Sequence, residues 1–91
     1  MKLEWVARAS KELGQLTKGN PALADLAFKE SERFAAEGMR FPQRKTINFK
    51  MLKNHTYAGR LRIHGLRLFM DRVGDIWIVR KVAQRSDTTY G

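Results

Sequence analysis

Apolar and polar positions change rhythm twice along this chain. Leu3-Glu4-Trp5-Val6 alternates as a short strand would, with successive side chains on opposite faces. Over residues 7–17 the apolar positions Ala9, Leu13 and Leu16 fall at helical spacing, and Gly19 offers a C-terminal stop. A second helix opens at Asn20-Pro21, a side-chain cap followed by a residue preset for the first turn. Leu23, Leu26, Ala27 and Phe34 form its apolar stripe, and Gly38 ends it. From residue 60 onward the period returns to two and predicts a meander of three strands.

The register of that meander follows from the alternation. In Arg60-Leu61-Arg62-Ile63 the arginines share one face and the aliphatics the other. A two-residue loop at His64-Gly65 pairs Ile63 with Leu66, Arg62 with Arg67, Leu61 with Leu68 and Arg60 with Phe69. Leu61, Ile63, Leu66, Leu68 and Met70 then form an inner face, and Arg60, Arg62, Arg67 and Phe69 an outer one. A second loop at Val73-Gly74 pairs Met70 with Trp77, Leu68 with Val79 and Arg67 with Arg80; a slip of one residue would mix the faces. Ile76-Trp77-Ile78-Val79 is apolar on both sides, as suits a central strand. Arg60, Arg62, Arg67 and Arg80 would cluster on one patch, with Phe69 and Ile78 among them.

These elements predict an α+β domain of order β-α-α-β-β-β, with two helices packed on the Leu61/Leu68/Met70 face of a small antiparallel sheet. Trp5, Trp77 and both helical stripes belong to its core. Residues 39–55 read as an irregular basic connection carrying Arg40, Arg44, Lys45, Lys50 and Lys53. At 91 residues and 43% hydrophobic content the chain supports one core, so residues 1–91 are expected to form a single domain.

Charge sharpens the picture. Over residues 1–38 basic and acidic side chains cancel, whereas residues 39–91 hold the whole net charge of +9, with only Asp71, Asp75 and Asp87 in opposition. A concentration of one sign is the footprint of a surface that binds a polyanion, nucleic acid first, although an acidic protein could mask it too. Like charges directly opposed in a sheet are destabilising, so the Arg62–Arg67 pair has no structural motive, and a bound polyanion supplies one. His55 and His64 read as exposed turn residues, and Arg72 and Lys81 as solvated strand-end charges.

Other classes recede. The absence of cysteine excludes disulfides and thiolate metal sites, and two histidines are too few for a histidine cluster, so neither metal nor other cofactor is expected. The same absence suits a reducing, cytoplasmic setting. No stretch is long and apolar enough to span a bilayer, and Met1-Lys2-Leu3-Glu4-Trp5 does not read as a signal peptide.

Three short motifs combine into a resemblance. Leu3-Glu4-Trp5 running into Ala9-Ser10-Lys11-Glu12-Leu13 resembles the opening of RelE/ParE-type toxins of bacterial toxin–antitoxin pairs. Arg60-Leu61-Arg62-Ile63-His64-Gly65-Leu66-Arg67 is similar to that family's R-L-R-V-G-D-Y-R hairpin, and Arg85-Ser86-Asp87 to its R-S-D-V-Y ending. The resemblance covers nearly the whole chain in element order. It implies a cognate antitoxin as partner and one of two activities. The RelE branch comprises endoribonucleases that cleave messenger RNA, often on the ribosome; the ParE branch shares the fold and poisons DNA gyrase. A catalytically inactive RNA- or ribosome-binding module is the third alternative.

For the RelE branch the implied chemistry is attack of a ribose 2′-hydroxyl on the adjacent phosphodiester. That reaction needs a proton acceptor, positive charge on the phosphorane and a proton for the leaving 5′-oxygen. Arginine forks supply the charge without a metal. Carried over residue by residue, Arg67 matches the position for the transition-state phosphate, Arg85 the terminal arginine, and Tyr90 the tyrosine that transfers a proton or stacks on a base. Arg60 and Arg62 match the basic hairpin positions, and Lys53 and Arg80 are the further cations expected to hold RNA. The sequence departs from the pattern at three points. Tyr90 comes one residue late, with Thr89 in the aligned place, and Ala58 and Ala83 stand where the family often has basic residues.

Overall fold

Two helices lie on one face of a five-stranded sheet in the computed structural model, which describes residues 1–84. The elements are β1 (Lys2–Trp5), α1 (Ala7–Leu16), α2 (Pro21–Glu37), a 3₁₀ turn (Gly38–Arg40), β2 (Ile47–Met51), β3 (Gly59–Ile63), β4 (Leu66–Val73) and β5 (Ile76–Gln84). Their order across the sheet is β1-β5-β4-β3-β2. No described helix is long and apolar enough to cross a membrane.

The helices start and stop where the sequence predicts, within a residue or two. Asn20 caps α2, its Oδ1 accepting the Leu23 N–H at 3.2 Å, and Pro21 takes the first helical position. Ala27, Phe34 and Ala35 of α2 are buried with Ala9 and Leu13 of α1, while Leu23 and Leu26 pack at the margin. Against them stand Leu61, Ile63, Leu66, Leu68, Met70, Trp77, Val79 and Val82. Truncating any of the fully buried aliphatics to alanine would cost about 2–5 kcal/mol.

The first hairpin has the register that alternation predicts: Ile63↔Leu66, Arg62↔Arg67, Leu61↔Leu68 and Arg60↔Phe69. His64 takes the first turn position with φ 53°, where glycine is favoured, and Gly65 the second. The second hairpin differs. Its turn is Gly74-Asp75 rather than Val73-Gly74, so Val73 pairs with Ile76 and Met70 with Val79, not with Trp77. Gly74 has φ 61°, and placing it first in the turn moves the register by two residues. A shift of two leaves every side chain on its expected face, which is why the face assignment held while the pairing did not.

A bulge beside Phe69 and Met70 then moves the register by one more. Val79 and Val82 are both buried, and the two residues between them, Arg80 and Lys81, cannot both fit one position of a regular ladder. As a result Phe69 faces Lys81, Leu68 faces Val82 and Arg67 faces Ala83. The expected pairings of Leu68 with Val79 and Arg67 with Arg80 are therefore absent.

The sheet also holds more than the expected three-strand meander with a short leader. Residues 39–55 contain β2, antiparallel to β3 with Phe49 opposite Leu61. Gln43 Oε1 accepts the Phe49 N–H at 2.8 Å, so a side chain closes part of this outer edge. β1 runs parallel to β5, from Lys2↔Ile76 to Trp5↔Val79, which makes the sheet mixed rather than wholly antiparallel. Arg44, read as part of a basic connection, is structural. It pairs with Glu30, which is buried on α2, and its guanidinium lies 5.4 Å from the Phe41 ring centre.

Gly59 is required by close approach. A Cβ there would sit 2.3 Å from the Phe49 ring. That ring is stacked on Phe34 at 4.1 Å and meets Trp77 edge-on at 5.4 Å.

Candidate functional site

The face of the sheet away from the helices is built by the same alternation that builds the core. Directly paired residues share a face, so β2, β3, β4 and β5 place Lys50, Arg60, Phe69 and Lys81 in one row. The next row is Asn48, Arg62, Arg67 and Ala83. Arg60, Arg62 and Arg67 thus converge as the sequence predicts, and the opposed Arg62–Arg67 pair is present. Lys50 and Lys81 extend the patch, although sequence reasoning assigned them to a connection and to a strand end. Arg62 Nε donates to the His64 carbonyl at 3.3 Å, which ties its stem to the hairpin turn.

Arg80 departs from its expected place opposite Arg67. The bulge turns it toward β4, where its Nε donates to Asp71 Oδ2 at 2.9 Å. The other oxygen of the same carboxylate accepts the Ala58 N–H at 2.9 Å. Asp71 is thereby committed to anchoring the bulge and the segment that enters β3, and it offsets one of the expected patch cations. Lys53 is exposed in the segment between β2 and β3. Arg85 and Tyr90, with the rest of the terminal motif, lie outside the described residues.

Sequence reasoning missed an aromatic group on this face. His55 and Tyr57 lean over Phe69 from the segment between β2 and β3. The His55 and Phe69 rings are stacked at 5.6 Å with an interplanar angle of 5°. Tyr57 lies 5.5 Å from Phe69 and 6.0 Å from His55. The Tyr57 N–H donates to His55 Nδ1 at 3.2 Å, so the neutral imidazole carries its hydrogen on Nε2. Only the His-x-Tyr spacing and the outward Phe69 hinted at this grouping, and no local rule joins them.

Elsewhere an apolar cleft of about 530 Å³ opens beside Phe34, Phe49, Trp77, Met39 and Met51. None of the predicted site residues among those described lines it. Among the described residues no three His, Cys, Asp or Glu side chains lie together as metal ligands would.

No family model and no curated protein sequence matches this chain. Solved structures do match its fold. A metal-bound toxin from Helicobacter pylori superposes with a TM-score of 0.73 at 18% identity, over 96% of this chain and 97% of that one. A chain of the RelB-RelE antitoxin-toxin complex from Methanococcus jannaschii gives 0.65 at 16% identity, over 96% and 94%. The chain therefore has a RelE-like fold. At these identities fold is what is shared, and activity has to be argued from the site.

Proposed function

We propose that this chain is the toxin of a toxin–antitoxin pair and cleaves messenger RNA, on the ribosome, through attack of a 2′-hydroxyl on the adjacent phosphate. The observation that carries the reading is the Arg62–Arg67 pair. Two arginines directly opposed on the open sheet face, one pair from the hairpin turn, repel each other, and a phosphate between them relieves that repulsion. The RelE-like fold at full coverage supports the toxin class, and the antitoxin of the Methanococcus jannaschii complex supports a cognate antitoxin here.

In this reading the 2′-oxygen attacks phosphorus, its proton passes to a base, and the P–O5′ bond breaks as the 5′-oxygen gains a proton. Arg67 stabilises the negative charge that builds on the phosphorane oxygens. Arg60 and Arg62 hold the flanking phosphates, and Lys50, Lys53 and Lys81 extend the track. Arg80, shared with Asp71, serves at the margin. Tyr90 and Arg85 are the candidates for proton transfer and for charge near the leaving group. RNA brings its own nucleophile, so positioning and electrostatics account for most of the work.

One observation favours a second reading, a ParE-like grip on DNA gyrase without chemistry. Ala83 stands directly opposite Arg67, and Ala58 has its N–H held by Asp71, so neither motif position presents a cation. Brief induction, with mapping of messenger-RNA 5′ ends and of gyrase-linked DNA breaks, decides between them. New 5′ ends within coding regions and no DNA breaks are expected; the reverse result would overturn the nuclease reading.

A further inference from the structure

We propose that His55, Tyr57 and Phe69 form a stacking platform for one unpaired RNA base, beside the phosphate-binding arginines; this rests on the nucleic-acid reading above. Phe69 is an apolar ring in the middle of a cationic row, with Arg60 on one neighbouring strand and Lys81 on the other. Strands lie about 4.8 Å apart, so the ring has a cation within reach on either side. Aromatic faces interleaved with cations are how proteins hold single-stranded nucleic acid, because every base offers a π-face and every nucleotide a phosphate. A base in a duplex hides both faces, so the occupant is single-stranded.

The platform is preorganised. Asn54 with φ 52° turns the chain immediately before His55. The Leu52 N–H donates to the Ala58 carbonyl at 2.9 Å and closes the segment, while Asp71 holds Ala58 from β4. The hydrogen bond from Tyr57 N–H to Nδ1 then orients the imidazole parallel to Phe69. His55 is exposed and the other two rings are half-buried, so the group keeps surface for a further ring. The His55 Nε2–H can donate to a base edge. A protein aromatic is the alternative occupant, but it would bring no negative charge to Lys50, Lys53, Arg60 and Lys81.

The experiment compares two six-residue strands by fluorescence anisotropy on the full chain. One is 2′-O-methyl hexa-adenylate, which lacks the nucleophile and stays intact; the other is abasic with the same phosphates. The base-bearing strand should bind on the order of tenfold more tightly or better. His55→Ala and Phe69→Ala should remove most of that difference and leave abasic affinity unchanged, whereas Tyr57→Phe and Phe69→Trp should retain it. Arg62→Ala should weaken both strands. His55 is exposed, so its variant keeps the test valid if Phe69→Ala unfolds. Equal binding of the two strands by the wild type, or equal weakening of both by His55→Ala, would overturn the platform and leave phosphate binding standing; a protein occupant predicts this outcome. Failure to bind either strand would overturn the nucleic-acid reading itself.

Discussion

Arg67 carries the heaviest functional assignment of any described residue, and its place explains how it can be tested cleanly. It is on the open face, opposite Arg62 and Ala83, while its neighbours Leu66 and Leu68 are fully buried. Arg67→Ala should therefore leave the fold intact, with an unchanged far-UV circular dichroism spectrum, since a side chain on the open face contributes little to the core. RNA cleavage and growth arrest should fall by two orders of magnitude or more, the scale of losing one preorganised transition-state donor. Undiminished toxicity would remove Arg67 from the site. Gly59 presents the opposite case, a residue with no chemistry and a strict steric demand. Gly59→Ala drives a methyl group into the Phe49 ring, and unfolding in denaturant should register a loss of about 1–3 kcal/mol. In the Phe49→Leu background the same substitution should cost markedly less, because the two effects share one contact.

Among the elements, β5 shows how a strand outlasts its neighbour. β1 ends at Trp5, the Val6 N–H still reaches the Val79 carbonyl, and beyond the bulge no strand among the described residues covers that side of β5. Glu12 of α1 takes over: its Oε1 accepts the Val82 N–H at 3.0 Å. Glu12→Ala should cost about 1–3 kcal/mol by leaving that amide without an acceptor, and Glu12→Gln, which keeps an oxygen there, should cost clearly less. Arg8→Ala, which removes only the exposed ion pair to Glu12, should change stability by no more than about 0.5 kcal/mol. Equal losses for all three variants in chemical denaturation would refute the assignment. This strand also marks where sequence reasoning stops. The first hairpin was readable because a two-residue turn and strict alternation leave one register. In the second, the choice of Gly74 as first turn residue and the extra residue at Arg80 are set by backbone torsion and by packing of Val82, which alternation does not report. β2 escaped notice because its inward run of Ile47, Phe49 and Met51 is short, and Lys45, Lys50 and Lys53 in and around it read as a basic connection. The parallel partner of β1 is separated from it by most of the chain, and no local pattern encodes that pairing.

At the scale of the molecule, fold and charge divide the labour. The α+β layering with helices on the inner face follows from apolar periodicity, and so does the convergence of Arg60, Arg62 and Arg67 on the outer one. The aromatic group over Phe69 and the diversion of Arg80 to Asp71 needed the tertiary structure, since they join residues many positions apart. The whole net charge of +9 comes from residues 39–91, which include all the strands bearing the open face except the β1 edge. An antitoxin that silences the proposed activity is expected to cover this face with an acidic amphipathic helix or an added strand at β2, whose far side pairs with no strand among the described residues. Opposite charges spread over such a surface act mainly on the encounter, where they steer at distances comparable to the Debye length. Raising ionic strength from about 0.05 to 0.5 M shortens that length from roughly 14 to 4 Å. The association rate of toxin with antitoxin should consequently fall by one to two orders of magnitude, while the dissociation rate, set by desolvated contacts, should change only a few-fold. Stopped-flow association and dissociation on the same pair measure both. An association rate independent of salt would place the antitoxin away from the basic face, and inhibition would then require a mechanism other than covering it.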